Sequence, residues 1–95
     1  MQQAHVFISG NVQGIGYRQF VKSNAKKLGL TGWVQNLPAG RQVPSNGGVE
    51  AVFCGDKDTI EQMIEMCKKG PFLAEVKHLG FEWEDVEQFS SFEIH

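Results

Sequence analysis

Apolar positions along the 95-residue chain recur with two different periods, and the alternation between them outlines the fold. Residues 5–9 alternate, with Val6 and Ile8 on one side and Phe7 on the other, which predicts a strand. Residues 18–28 predict a helix. Tyr17, Val21, Ala25 and Leu28 fall near helical spacing on one face, Lys22, Lys26 and Lys27 lie off it, and Gly29 stands where a left-handed cap belongs. A second strand covers residues 32–36, with Trp33 and Val34, and a third covers residues 49–54. The second helix, residues 58–69, carries Ile60, Met63, Ile64 and Cys67 at the i, i+3, i+4, i+7 positions of a buried stripe. Asp58 with Glu61 resembles a capping box, with Asp56 as the other candidate cap, while Lys68, Lys69 and Gly70-Pro71 close the helix. In residues 76–84, Leu79, Phe81 and Trp83 alternate with His78, Gly80 and Glu82, and residues 92–94 form a short last strand.

The order β-α-β-β-α-β with a terminal strand specifies an α+β class. The expected arrangement is a ferredoxin-like sandwich, an antiparallel sheet with both helices on one face. Residues 1–95 are expected to form a single domain, large enough for a core without staples. Phe7 and Val52 are expected to be partly exposed on the second face of the sheet. Residues 37–48, rich in Pro, Gly, Ser and Asn, read as a loop or an extended hairpin tip.

Composition narrows the function. Hydrophobic residues make up 41% and charged residues 21%, as in an ordered globular protein. The net charge of −2 and a pI near 5.9 disfavour a general nucleic-acid or anionic-membrane binder. No apolar run approaches the roughly 20 residues of a membrane span. The N-terminus lacks the basic and apolar regions of a signal peptide, so a cytoplasmic location is expected. Cys54 and Cys67 form no CxxC and read as buried free thiols. The chain starts at a methionine and ends just after its last strand, which favours a freestanding enzyme, and a monomer is expected.

Candidate chemistry concentrates in GNVQGIGYR, residues 10–18. A glycine-rich turn feeding a helix can point several N–H groups inward, and with the helix dipole this makes an anion site. Arg18 adds a planar guanidinium suited to phosphate oxygens. The other reading is a tight strand-to-helix turn with a surface arginine. Known phosphate loops do not match: there is no GK[ST], and the third position of the dinucleotide fingerprint is Gln19. Asn36, before Leu-Pro, reads singly as a turn residue at a strand end. His5, His78 and His95 are scattered and read as structural or solvated. Tyr17 and Phe20 read as core packing, and Gln13 as a residue able to contribute only its backbone.

Taken together, GNVQGIGYR and GWVQN (residues 32–36) resemble the two signatures of the acylphosphatase family, G-x-V-Q-G-V-x-[FY]-R with Ile15 for valine, and G-[FYW]-[AV]-x-N. Their separation and the CKKGP at the tail of the second helix also fit, so the likeness covers nearly the whole chain. The resemblance implies a ferredoxin-like hydrolase that cleaves acyl phosphates to a carboxylate and inorganic phosphate. By position, Arg18 matches the phosphate-binding arginine and Asn36 the asparagine that orients the attacking water. The backbone of Gln13, Gly14, Ile15, Gly16, Tyr17 and Arg18 matches the phosphate cradle. Such chemistry needs little acid catalysis, because a carboxylate is a weakly basic leaving group. The candidate site accordingly carries no paired carboxylates, Ser-His-Asp set or metal cluster. No cofactor and no metal are expected, and inorganic phosphate is expected to inhibit as product.

Two rivals remain at this point. One is a non-catalytic module of the same fold binding a phosphorylated small molecule or a protein, as such domains occur inside larger maturation proteins that handle carbamoyl phosphate. The other is RNA binding, which shares the element order but needs an aromatic stripe that VEAVFC, the third strand, lacks. After Asn36 the family makes a short N-x-x-D-G-x-V-E turn. LPAG fits it with Ala39 for aspartate, and RQVPSNG then lengthens the segment, which is expected to be a neutral surface insertion.

Overall fold

The computed structural model describes residues 1–37 and 47–95. Its elements are β1 (Gln2–Asn11), α1 (Tyr17–Lys27), β2 (Thr31–Leu37), β3 (Gly48–Gly55), α2 (Lys57–Lys69), β4 (Glu75–Glu84) and β5 (Phe92–Ile94). The sheet runs β4-β1-β3-β2-β5. The first four strands pair antiparallel, as expected, and β5 adds to β2 in parallel, which makes the sheet mixed. Of the segment 37–48 read as a loop or hairpin tip, Leu37 ends β2 and Gly48 begins β3, while residues 38–46, which hold the supposed insertion except Gly47, lie outside the described residues.

Side-chain alternation decides which face is buried. Ala4, Val6 and Ile8 of β1, Ala51 and Phe53 of β3, and Val34 of β2 point toward the helices and are buried. They meet Val21 and Ala25 of α1, and Ile60, Met63, Ile64 and Cys67 of α2. Helix α1 lies over β2 and β5, and α2 over β1, β3 and β4. The β-α-β-β-α-β reading therefore stands as a ferredoxin-like α+β fold.

Three expectations need correction or sharpening. Val52 is buried rather than partly exposed, at 2%. It lies on central β3 between the cross-strand partners His5 and Trp33, whose rings approach edge to face at 6.0 Å over it. Phe7 does stay partly exposed, stacked on His5. The cap of α2 is Asp56, and Asp58 lies in the first turn, so no capping box centred on Asp58 forms. Asp58 still favours the positive helix end. On β4, Phe81 and Trp83 share the helix side with Val6 and Ala4 yet remain exposed, because β4 is an edge strand.

The helix ends follow the sequence signals. Leu30 N–H donates to Ala25 O and Gly29 N–H to Lys26 O, a Schellman closure around Gly29 at φ 74°. Gly70 ends α2 at φ 66°. Between β4 and β5 the chain crosses to the far sheet edge. Buried Gln3 pins that crossing by accepting from the Glu87 N–H at 2.7 Å and donating to Glu84 at 2.7 Å.

Cys54 and Cys67 are buried free thiols, as read from the sequence. Burial pushes the Cys67 thiol from its ordinary 9.0 up to about 12, and burial likewise raises the Tyr17 hydroxyl, which donates to Cys67 O at 2.7 Å. Both groups favour the protonated form in the fold. Their stabilisation is therefore complete below the unfolded pKa and disappears as pH rises from 9 toward 12. The thermal midpoint should fall progressively above pH 9, and Cys67→Ala should lower the midpoint at neutral pH while making that alkaline decline shallower. A midpoint flat from pH 8 to 11 would contradict the burial assignment.

Candidate active site

Strand order brings the two signatures together. Strands β1 and β2 both run antiparallel to β3, so they are parallel to one another and their C-terminal ends lie at the same end of the sheet. Ile8, Val49 and Asn36 share one level across the three strands, and Ser9, Gly48 and Leu37 share the next. Asn36 is two residues beyond buried Val34, so it points to the same helix side. The turn after β1 delivers α1 to that side, with its N-terminus near Asn36. Arg18 and Asn36, 18 positions apart in the chain, therefore line one pocket of about 230 Å³.

The turn itself owes its shape to two glycines. Gly14 and Gly16 have φ of 75° and 81°, and a Cβ at either would meet nothing within 4 Å. The requirement is thus backbone conformation rather than space. Gly16 is the cap of α1, and it carries no side chain to occupy the free helix amides. Among the described residues no carbonyl accepts from the N–H groups of Gly14, Ile15, Gly16, Tyr17 or Arg18. Unfilled amides at a helix N-terminus attract anions. Val12, 1% exposed, anchors the turn in the core. Tyr17, also 1% exposed, ties the start of α1 to the end of α2 through its bond to Cys67, consistent with core packing.

Of the candidate residues, Gly14, Gly16, Tyr17, Arg18 and Asn36 line the pocket. Ile15 and Gln13 are not among its walls: Ile15 packs on the core, and the Gln13 side chain reaches back to Leu37 O and Gly48 O. Arg18 pairs with no carboxylate among the described residues. The Asn36 carboxamide oxygen is buried and has no hydrogen-bond partner among them. A buried acceptor facing a polar pocket requires a donor such as water. The sequence reading missed Val12, Gln19 and Ile94 as walls. Ile94 carries no local signal, since it arrives by the parallel pairing of β5 with β2. His5, His78 and His95 lie outside the pocket, and His5 is engaged by Glu50 and Glu84. Among the described residues no His, Cys, Asp and Glu side chains assemble into a metal-ligand group.

This sandwich, with its glycine-rich turn and the arginine and asparagine at one sheet end, is a small ferredoxin-like α+β domain with open amides facing a polar pocket. The acylphosphatase family model matches residues 4–94. The chain is 46% identical over 92 residues to the acylphosphatase of Nostoc sp. (strain PCC 7120 / SAG 25.82 / UTEX 2576), covering 97% of this chain and 84% of the relative. The solved acylphosphatase from Coxiella burnetii is 39% identical, with a TM-score of 0.88 over 99% of this chain and 92% of that one. Full-length HypF, solved in a phosphate- and nucleotide-bound form, is similar over 99% of this chain but only 12% of its own, at 28% identity and a TM-score of 0.86. The chain belongs to the acylphosphatase family. No helix among the described residues is long and apolar enough to cross a membrane.

Replacing Gly16 by Ala should cost about 1–2 kcal/mol of stability through the left-handed backbone alone. Gly14→Ala should behave alike, whereas Ile15→Ala should destabilise through lost core packing. Urea unfolding measures all three. A neutral Gly16→Ala would show that the turn does not need its positive φ.

Proposed function

We propose that this acylphosphatase-family chain hydrolyses the carboxyl–phosphate bond of acyl phosphates with Arg18 and Asn36 as its catalytic residues. The phosphoryl group sits against the free amides from Gly14 to Arg18, and the Arg18 guanidinium neutralises its oxygens. A water donates a hydrogen bond to the Asn36 carboxamide oxygen, which turns a water lone pair toward phosphorus. The water oxygen forms the new P–O bond as the P–O bond to the acyl group breaks. The electron pair leaves with the carboxylate, and the water proton passes to solvent. Alignment and charge stabilisation are sufficient because the leaving group needs no protonation.

The observation that carries this reading is the unpartnered Asn36 oxygen buried in the same pocket as Arg18 and the open amides. Backbone cradling by Gln13 and Ile15 rests on their place in the turn, since neither lines the pocket. The match over residues 4–94 supports a single acylphosphatase domain. The two unpaired buried thiols support work in a reducing cytoplasm.

Hydrolysis of benzoyl phosphate in excess EDTA should proceed without added metal. Arg18→Ala and Asn36→Ala should each lower kcat/KM by about 10²-fold or more with the fold retained. Inorganic phosphate should inhibit competitively, and Arg18→Ala should weaken that inhibition more than Asn36→Ala. Phosphate binding without turnover in the parent would instead identify a non-catalytic phosphate-binding module.

A further inference from the structure

We propose that the Gln13 side chain is a positioning residue, which clasps the open end of the β2–β3 ladder and thereby sets Asn36 against the phosphate cradle. The inference rests on the hydrolase reading of this pocket and adds a component to it. The Gln13 nitrogen donates to Leu37 O at 2.6 Å and to Gly48 O at 2.8 Å. Leu37 and Gly48 are the final cross-strand pair of β2 and β3. A primary carboxamide has two N–H donors, and here each goes to a different strand. The same residue immediately precedes Gly14, so its backbone belongs to the turn that forms the cradle. One side chain thus joins the cradle turn to the last residue of β2 and the first of β3.

A neighbouring glycine shows how closely the clasp is packed. A Cβ on Gly47 would lie 2.7 Å from the Gln13 nitrogen and 2.8 Å from Leu37 O, and Gly47 has φ 75°. Any side chain there would strain the backbone and push the carboxamide off its acceptors. The end of a ladder is where backbone pairs open first. Leu37 is the neighbour of Asn36, so opening this pair moves the carboxamide oxygen that orients water. Phosphate capture is insulated from that movement. It depends on the turn and on α1, which Val12 and Tyr17 hold in the core. Loss of the clasp should therefore damage the attack step and spare phosphate binding.

Gln13→Met keeps the reach of the side chain and removes both donors. It should lower kcat about 10- to 100-fold, the scale of a misplaced nucleophile. The inhibition constant for inorganic phosphate should stay within roughly twofold of the parent, in contrast to Arg18→Ala. Amide hydrogen exchange at Asn36, Leu37, Gly48 and Val49 should rise by about tenfold or more, with Val34 and Ala51 unchanged. Gly47→Ala, which attacks the contact from the other side, should reproduce both effects. An unchanged kcat in Gln13→Met overturns the proposal, and so does a parallel loss of kcat and phosphate affinity, which would make Gln13 part of the cradle. A parent without turnover would sink the hydrolase reading, while the exchange comparison still decides whether Gln13 holds the Asn36 end of the ladder.

Discussion

The site depends on one topological constraint, the insertion of β3 between two parallel strands. Because β1 and β2 both pair with β3, their C-terminal ends arrive level with one another, about two strand spacings or roughly 10 Å apart. One end continues into the glycine-rich turn and the other ends in Asn36. A β1–β2 neighbour pairing would crowd the turn against the strand end, and an antiparallel relation would send the two to opposite edges. The gap across β3 is what leaves room for a pocket of about 230 Å³.

Packing then converts this arrangement into rigid chemistry. Val12, Tyr17 and the Schellman-closed helix α1 hold the turn against the core, so its amides stay directed without a side-chain cap to fill them. In the proposed reaction, the cost of leaving those donors and the Asn36 oxygen open is recovered when an anion and a water occupy them. The proposed reaction needs no raised acid or lowered base, because a leaving carboxylate makes no such demand. The strongly raised groups, Tyr17 and Cys67, are buried between the helices and work as packing.

The clasp by Gln13 and the wall supplied by Ile94 extend this logic beyond the two signature residues. Each belongs to a segment distant in sequence from the group it assists. Each depends on strand registry: Gln13 on the Leu37–Gly48 pair, Ile94 on its parallel pairing with Val34. The exposed edge of β4, with Phe81 and Trp83, lies away from this end and serves no step of the proposed reaction.

Sequence by itself determined the elements and the two ends that matter. Period-two and period-3.6 patterns located each strand and helix to within a few residues, since alternating burial leaves a direct record in the order of apolar residues. The paired signatures singled out Arg18 and Asn36. Tertiary structure alone decided the rest. Val52 became buried because two strands flank it, and Phe81 and Trp83 stayed exposed because their edge strand has β1 on one side only. Gln13 acquired a side-chain role, and Ile94 a place in the pocket wall, through registry between strands. Hydrophobic periodicity reports the face a residue takes within its own element, whereas neighbours across a sheet are set by strand order and register, which no local pattern encodes.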